Sequence, residues 1–111
     1  MGTPEFRRAF AALAADYAAS LPLKLVELDR LWDTVREDPV HVKVDALRRV
    51  LHTVAGSAGT FGFAALTDSA RAAEHFLAPF SQPGARLAVD DYARFEGLLK
   101  AVHKAAAPPA A

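Results

Sequence analysis

A chain of 111 residues, 52% of them hydrophobic, is long enough to bury a single core without metals or disulfides, so one compact domain is expected. Thirteen basic residues balance thirteen acidic ones, which excludes a global field drawing the protein onto nucleic acid or an anionic membrane. Cysteine is absent, so disulfides, thiolate metal sites and cysteine nucleophiles are excluded, and a reducing, cytoplasmic setting fits.

Residues 1–5 read as a leader added in cloning, because Glu5-Phe6 is a common cloning scar, and they receive no functional weight. The apolar stretch Ala9 to Ala15 is short, dominated by alanine and flanked by Arg7, Arg8 and Asp16, a poor match to a signal core or a membrane span. Phe6, Phe10, Leu13 and Tyr17 recur at helical steps, and Leu21, Leu25, Leu28, Leu31, Trp32 and Val35 continue the rhythm beyond Pro22. Proline kinks or breaks a helix interior and Ser20 suits an N-cap, so the pattern predicts a short N-terminal helix meeting a second one at a kink or break at Pro22. Pro39 closes that second helix. A third run carries Leu47, Val50, Leu51, Val54, Ala58 and Phe61, and a fourth carries Leu66, Ala70, Ala73, Phe76, Leu77 and Phe80. Pro79, Pro83 and Gly84 mark a loop, and Val89, Tyr92, Phe95, Leu98, Leu99 and Val102 define a last helix. Residues 107–111, rich in alanine and proline, read as a tail or linker. The fold expected over residues 6–106 is all-α: a monomeric antiparallel four-helix bundle with an additional short N-terminal helix.

Leu51 to Phe63, LHTVAGSAGTFGF, holds Gly56, Gly59 and Gly62, three of the chain's six glycines. Each glycine inside a helix costs about 1 kcal/mol relative to alanine, and alanine is used freely elsewhere. At 100° per residue, Phe61, Val50 and Val54 fall within roughly 20° of the direction opposite His52, so His52 points outward. Asp45, Arg48, Gly56 and Gly59 lie within roughly 40° of it, with Arg49 and Ala55 at roughly 60°. A lone histidine on a polar face is most often a solvated side chain, and Gly59 or Gly62 can simply end the helix. Gly56 is different: one turn beyond an exposed histidine and inside the apolar rhythm, it clears space for another surface. An exposed imidazole, with its ordinary pKa of about 6.5, is available as a neutral nucleophile toward phosphorus.

These residues resemble the histidine-containing phosphotransfer (HPt) domain family of two-component phosphorelays. The family motif reads roughly His-x-x-[Lys/Ala]-Gly-[Ser/Ala]-[Ala/Ser]-x-x-x-Gly with a leucine soon after. His52, Ala55, Gly56, Ser57, Ala58, Gly62 and Leu66 match it. The resemblance implies that Nε2 of His52 accepts a phosphoryl group and exchanges it with the aspartate of a response-regulator receiver domain. It also implies docking at Gly56, Ala55, Arg48, Arg49 and Gly59, a hybrid sensor histidine kinase as a further partner, and Mg²⁺ supplied by the receiver, with no cofactor held by the chain itself. Many family members carry lysine where this chain has Ala55, so another group is expected to compensate beside the phosphoryl group: Arg48 and Arg49, which stand one turn before His52, or the receiver's own lysine and metal. Ser57 falls on the inward side, where its hydroxyl would bond to backbone. His41, His75 and His103 fall on separate elements without metal-ligand spacing, and His75 beside Glu74 reads as surface. No P-loop or other ATP-binding motif occurs, which makes the chain a carrier rather than a kinase. Two other readings stand beside this one: an HPt-like interaction module that carries no phosphate, and the phospho-accepting domain of a chemotaxis-type histidine kinase.

Overall fold

The computed structural model describes residues 2–107. Four helices follow one another: α1 Pro4–Glu37, α2 His41–Thr60, α3 Ala64–Leu77 and α4 Tyr92–Ala106, with 3-10 turns at Ala78–Ser81 and Val89–Asp91 between the last two. Among the described residues no strand forms, and a single isolated bridge pairs Val40 with Arg86. Residues 108–111 of the expected tail lie outside the described residues.

Helix α1 starts where Thr3 caps it, its hydroxyl accepting from the Phe6 N–H at 3.1 Å, with Pro4 in the first turn. The expected break at Pro22 does not occur. The helix runs 34 residues without interruption, and Ser20, expected as a cap, donates its hydroxyl to the Tyr17 carbonyl at 2.6 Å within it. Tertiary anchors on both sides of the proline explain this. Tyr17 donates to the Val54 carbonyl at 3.4 Å and stacks on Phe61, while Leu21 and Leu28 are buried. Pro22 itself is exposed, so it disturbs no buried face, and its local cost is the hydrogen bond it cannot donate together with the crowding of its ring against the carbonyl one turn earlier. The bundle thus has four helices and no separate N-terminal one.

At 1.5 Å per residue, the 34 residues of α1 reach about 50 Å, well beyond the roughly 30 Å of the 20-residue α2. The first turns of α1 therefore outrun their partners. Phe6, Phe10 and Leu13 remain 59%, 38% and 55% exposed, although Phe10 touches Phe61. By length and composition α1 is apolar enough to cross a bilayer, through its alanines and leucines, with Asp16 and Lys24 interrupting the stretch.

Neighbouring helices run antiparallel, as short connections require. His52 meets Glu74 while Gly59 faces Thr67, and Asp29 meets His103 while Trp32 meets Glu96. Helix α2 ends at a Schellman turn: Gly62, at φ +81°, donates to the Gly59 carbonyl, and Phe63 donates to the Ala58 carbonyl. Leu28, Val35, Leu47, Leu51, Leu66 and Phe95 fill the core with essentially no exposure. Trp32 packs on Phe95 at 4.7 Å and sends its indole N–H to Glu96, which also pairs with Arg36, closing α1 onto α4.

Because Pro22 costs α1 a hydrogen bond at an exposed interior position, Pro22→Ala should stabilise the fold by about 1–3 kcal/mol, read as a higher Tm in thermal denaturation followed by circular dichroism.

Candidate functional site

His52 sits in the middle of α2, where Leu51, Val54 and Ala55 are buried and its own side chain is 71% exposed. Its Nδ1 lies 2.8 Å from Oε2 of Glu74 on α3. A carboxylate only accepts, so Nδ1 carries the hydrogen, and in the neutral ring this leaves the lone pair on Nε2. The ring is thus held by one nitrogen, while the other makes no hydrogen bond among the described residues.

Glu74 is itself held. Its side chain is 12% exposed, and Nη1 of Arg48 stands 3.5 Å from the same oxygen that binds His52. Arg48 also donates from Nε and Nη2 to Oδ1 of Asp45, at 3.0 and 2.8 Å. The second oxygen of Asp45 accepts from Nε of Arg49 at 2.7 Å. Asp45 and Glu74 therefore balance Arg48 and Arg49, and the ring of His52 ends the chain of contacts. Partial burial works to raise the Asp45 carboxyl, but hydrogen bonds from Arg48 and Arg49, then their charges, outweigh it and hold its pKa below the ordinary carboxylate value.

The clustered glycines separate into two kinds. Gly62 ends the helix through its positive φ, whereas Gly56 is exposed and an added Cβ would meet nothing within 4 Å. Gly59 is also exposed, with Thr67 of α3 at 3.6 Å from an added Cβ, an ordinary contact. Ala55 requires a correction. Expected on the docking strip, it is 3% exposed and belongs to the core, because its roughly 60° offset from His52 falls on the side of α2 that faces α3, where Gly59 meets Thr67 and Arg48 meets Glu74. Ser57 donates to the Thr53 carbonyl at 2.5 Å, the backbone bond expected of it.

The residue that sequence reasoning passed over is Glu74. A signal was present: Leu66, Ala70 and Glu74 step by four and Leu77 follows by three, so the carboxylate stands on the edge of the buried stripe of α3, not on its solvent face. His41, His75 and His103 stay apart from His52, and His103 instead pairs with Asp29 at 2.7 Å. Among the described residues no group of three or more His, Asp or Glu side chains is arranged to hold a metal.

Because the folded-state pKa of Asp45 lies below its unfolded value, the stability it adds is fully present above about pH 4 and is lost as pH falls through the folded value. Asp45→Asn should therefore be less stable than the parent at neutral pH, with the difference closing as pH falls below about 4, so that its stability followed by circular dichroism depends less steeply on pH in acid.

The Hpt domain family model matches residues 6–105. No curated protein matches the chain, and no solved structure does. The family match runs through every helix of the bundle, and the chain accordingly belongs to the Hpt domain family, the histidine phosphotransfer modules of two-component signalling.

Proposed function

We propose that this protein is a cytoplasmic phosphorelay intermediate that accepts a phosphoryl group on Nε2 of His52 and exchanges it with the aspartate of a response-regulator receiver domain. One observation carries the assignment to His52: it is exposed, with Nδ1 tied to Glu74 and Nε2 left free to attack. The Nε2 lone pair bonds to phosphorus in line as the aspartyl O–P bond breaks, and the aspartate leaves as a carboxylate. The imidazole becomes positively charged in that step. Glu74, already bonded to the Nδ1 hydrogen, lies where it stabilises this charge and keeps the proton on Nδ1. The return step to a second receiver reverses these events. Mg²⁺ belongs to the receiver, and nothing in this chain's part of the chemistry requires it to hold a metal.

The open strip at Gly56, extended by Gly59, provides the approach for the receiver, since no side chain rises from Gly56 one turn beyond the histidine. As an Hpt domain the chain is a phosphocarrier and not a kinase, so its phosphate must come from a partner, either a receiver or a hybrid sensor kinase containing one.

The test is to present the purified protein with a panel of phosphorylated receiver domains from its own organism and follow the phosphoryl group in time. Transfer to the parent protein and its loss in His52→Gln, with helicity intact, is the expected outcome; acid-labile phosphate on His52→Gln overturns the assignment. At Gly56 stability and docking should part company. Gly56→Ala fills open space in a helix interior and should stabilise the fold by about 1 kcal/mol. Gly56→Arg should fold and fail to exchange phosphate. Exchange by Gly56→Arg at the parent's rate places the docking surface elsewhere.

A further inference from the structure

We propose that the two arginines preceding His52 have separate duties: Arg49 is the cation that contacts the phosphoryl group on His52, while Arg48 is a positioning residue that acts through Glu74. The inference deepens the carrier reading above and rests on it.

Their surroundings separate them. Arg48 is 26% exposed and enclosed by acceptors, with two bonds to Asp45 and an ion pair to Glu74. Swinging it toward a phosphoryl group would strip a cation from Glu74, whose side chain is only 12% exposed, and a poorly solvated carboxylate left without its partner is costly. Arg49 is 75% exposed, and its tie to Asp45 is a surface pair within one helix turn, the weakest class of ion pair. Releasing Arg49 still leaves Asp45 bonded to Arg48. Arg49 stands three residues before His52, on the neighbouring surface of the same helix, within reach of an arginine side chain.

Charge supplies the need. Asp45, Glu74, Arg48 and Arg49 sum to zero, so a dianionic phosphoryl group on His52 leaves the site with excess negative charge. The position three residues after the histidine cannot supply a cation directly, because Ala55 lies in the core. Arg49 supplies it from the opposite direction along the helix, with a planar fork suited to phosphoryl oxygens. Arg71, exposed on α3 one turn before Glu74, is the competing cation.

Phosphoramidate serves as a phosphoryl donor that needs no cognate receiver: the Nε2 lone pair bonds to phosphorus, the reagent's P–N bond breaks and ammonia leaves. His52 phosphorylation is followed by intact mass and phosphorus NMR, and the ring tautomer by nitrogen-15 shifts of Nδ1 and Nε2. Arg49→Ala should slow phosphorylation about tenfold or more, with Arg49→Lys recovering most of the rate and both variants keeping the parent's tautomer signature. Arg48→Ala should change that signature, and Glu74→Gln, which keeps the side chain's size, should change it in the same direction. Parent-like phosphorylation of Arg49→Ala, or a loss confined to Arg71→Ala, overturns the assignment of Arg49. A parent-like tautomer signature in folded Arg48→Ala overturns the positioning role. Failure of the parent protein to take phosphate at His52 from phosphoramidate and from every receiver overturns the carrier reading itself, a result distinct from either.

Discussion

The close approach of α2 and α3 is the constraint on which the site depends. These two helices lie together along more of their length than any other pair. Their buried faces explain why. Ala55 and Ala58 on α2 and Ala70 and Ala73 on α3 are all in the core, and helices meeting through methyl groups can bring their axes nearer than helices separated by leucines. A short connection and the Schellman turn at Gly62 set α3 running back alongside α2. The result is that a carboxylate at the edge of α3 falls within hydrogen-bond distance of a histidine on the outer side of α2.

From this packing the electrostatics follow. Glu74 is too shielded to be left alone, and Arg48, one turn before His52, is the cation that reaches it. Arg48 is in turn fixed by Asp45, so the orientation of the imidazole depends on groups spread over two helices and about two turns of α2. An exposed histidine would ordinarily sample both tautomers and several rotamers. Here a single bond to Nδ1 selects one tautomer, which is the pre-organisation that a nucleophile acting at Nε2 requires.

The same packing bears on the family pattern at position 55. A lysine there would start from the buried face of α2 and would have to extend its chain outward to put its charge near the histidine. Alanine at this position belongs to the core instead. A short buried side chain and the absence of a lysine beside His52 are therefore two consequences of one residue. On the other side of His52, two arginines share one aspartate.

Periodicity and the placement of proline determined the helical class, the end of α1 before Pro39, the close of α2 near Phe61, the outward placement of His52 and the bare strip at Gly56, because each depends only on residues a few positions apart in the chain. The Pro22 break was misjudged for the complementary reason. A proline's local cost is legible in sequence, whereas the buried Leu21 and the Tyr17 contacts to Val54 and Phe61 that hold α1 straight through it involve residues 37 to 44 positions away. Ala55 lay near the boundary between the exposed and packed faces, and the direction from which α3 arrives decided its side. The pairing of His52 with Glu74, 22 residues apart, and the unequal enclosure of Arg48 and Arg49 were likewise decided only by tertiary structure. Helical spacing specifies which side chains share a face, but the partner across an interface depends on the axial offset of two packed helices, and that offset is set by the volumes of all the side chains buried between them.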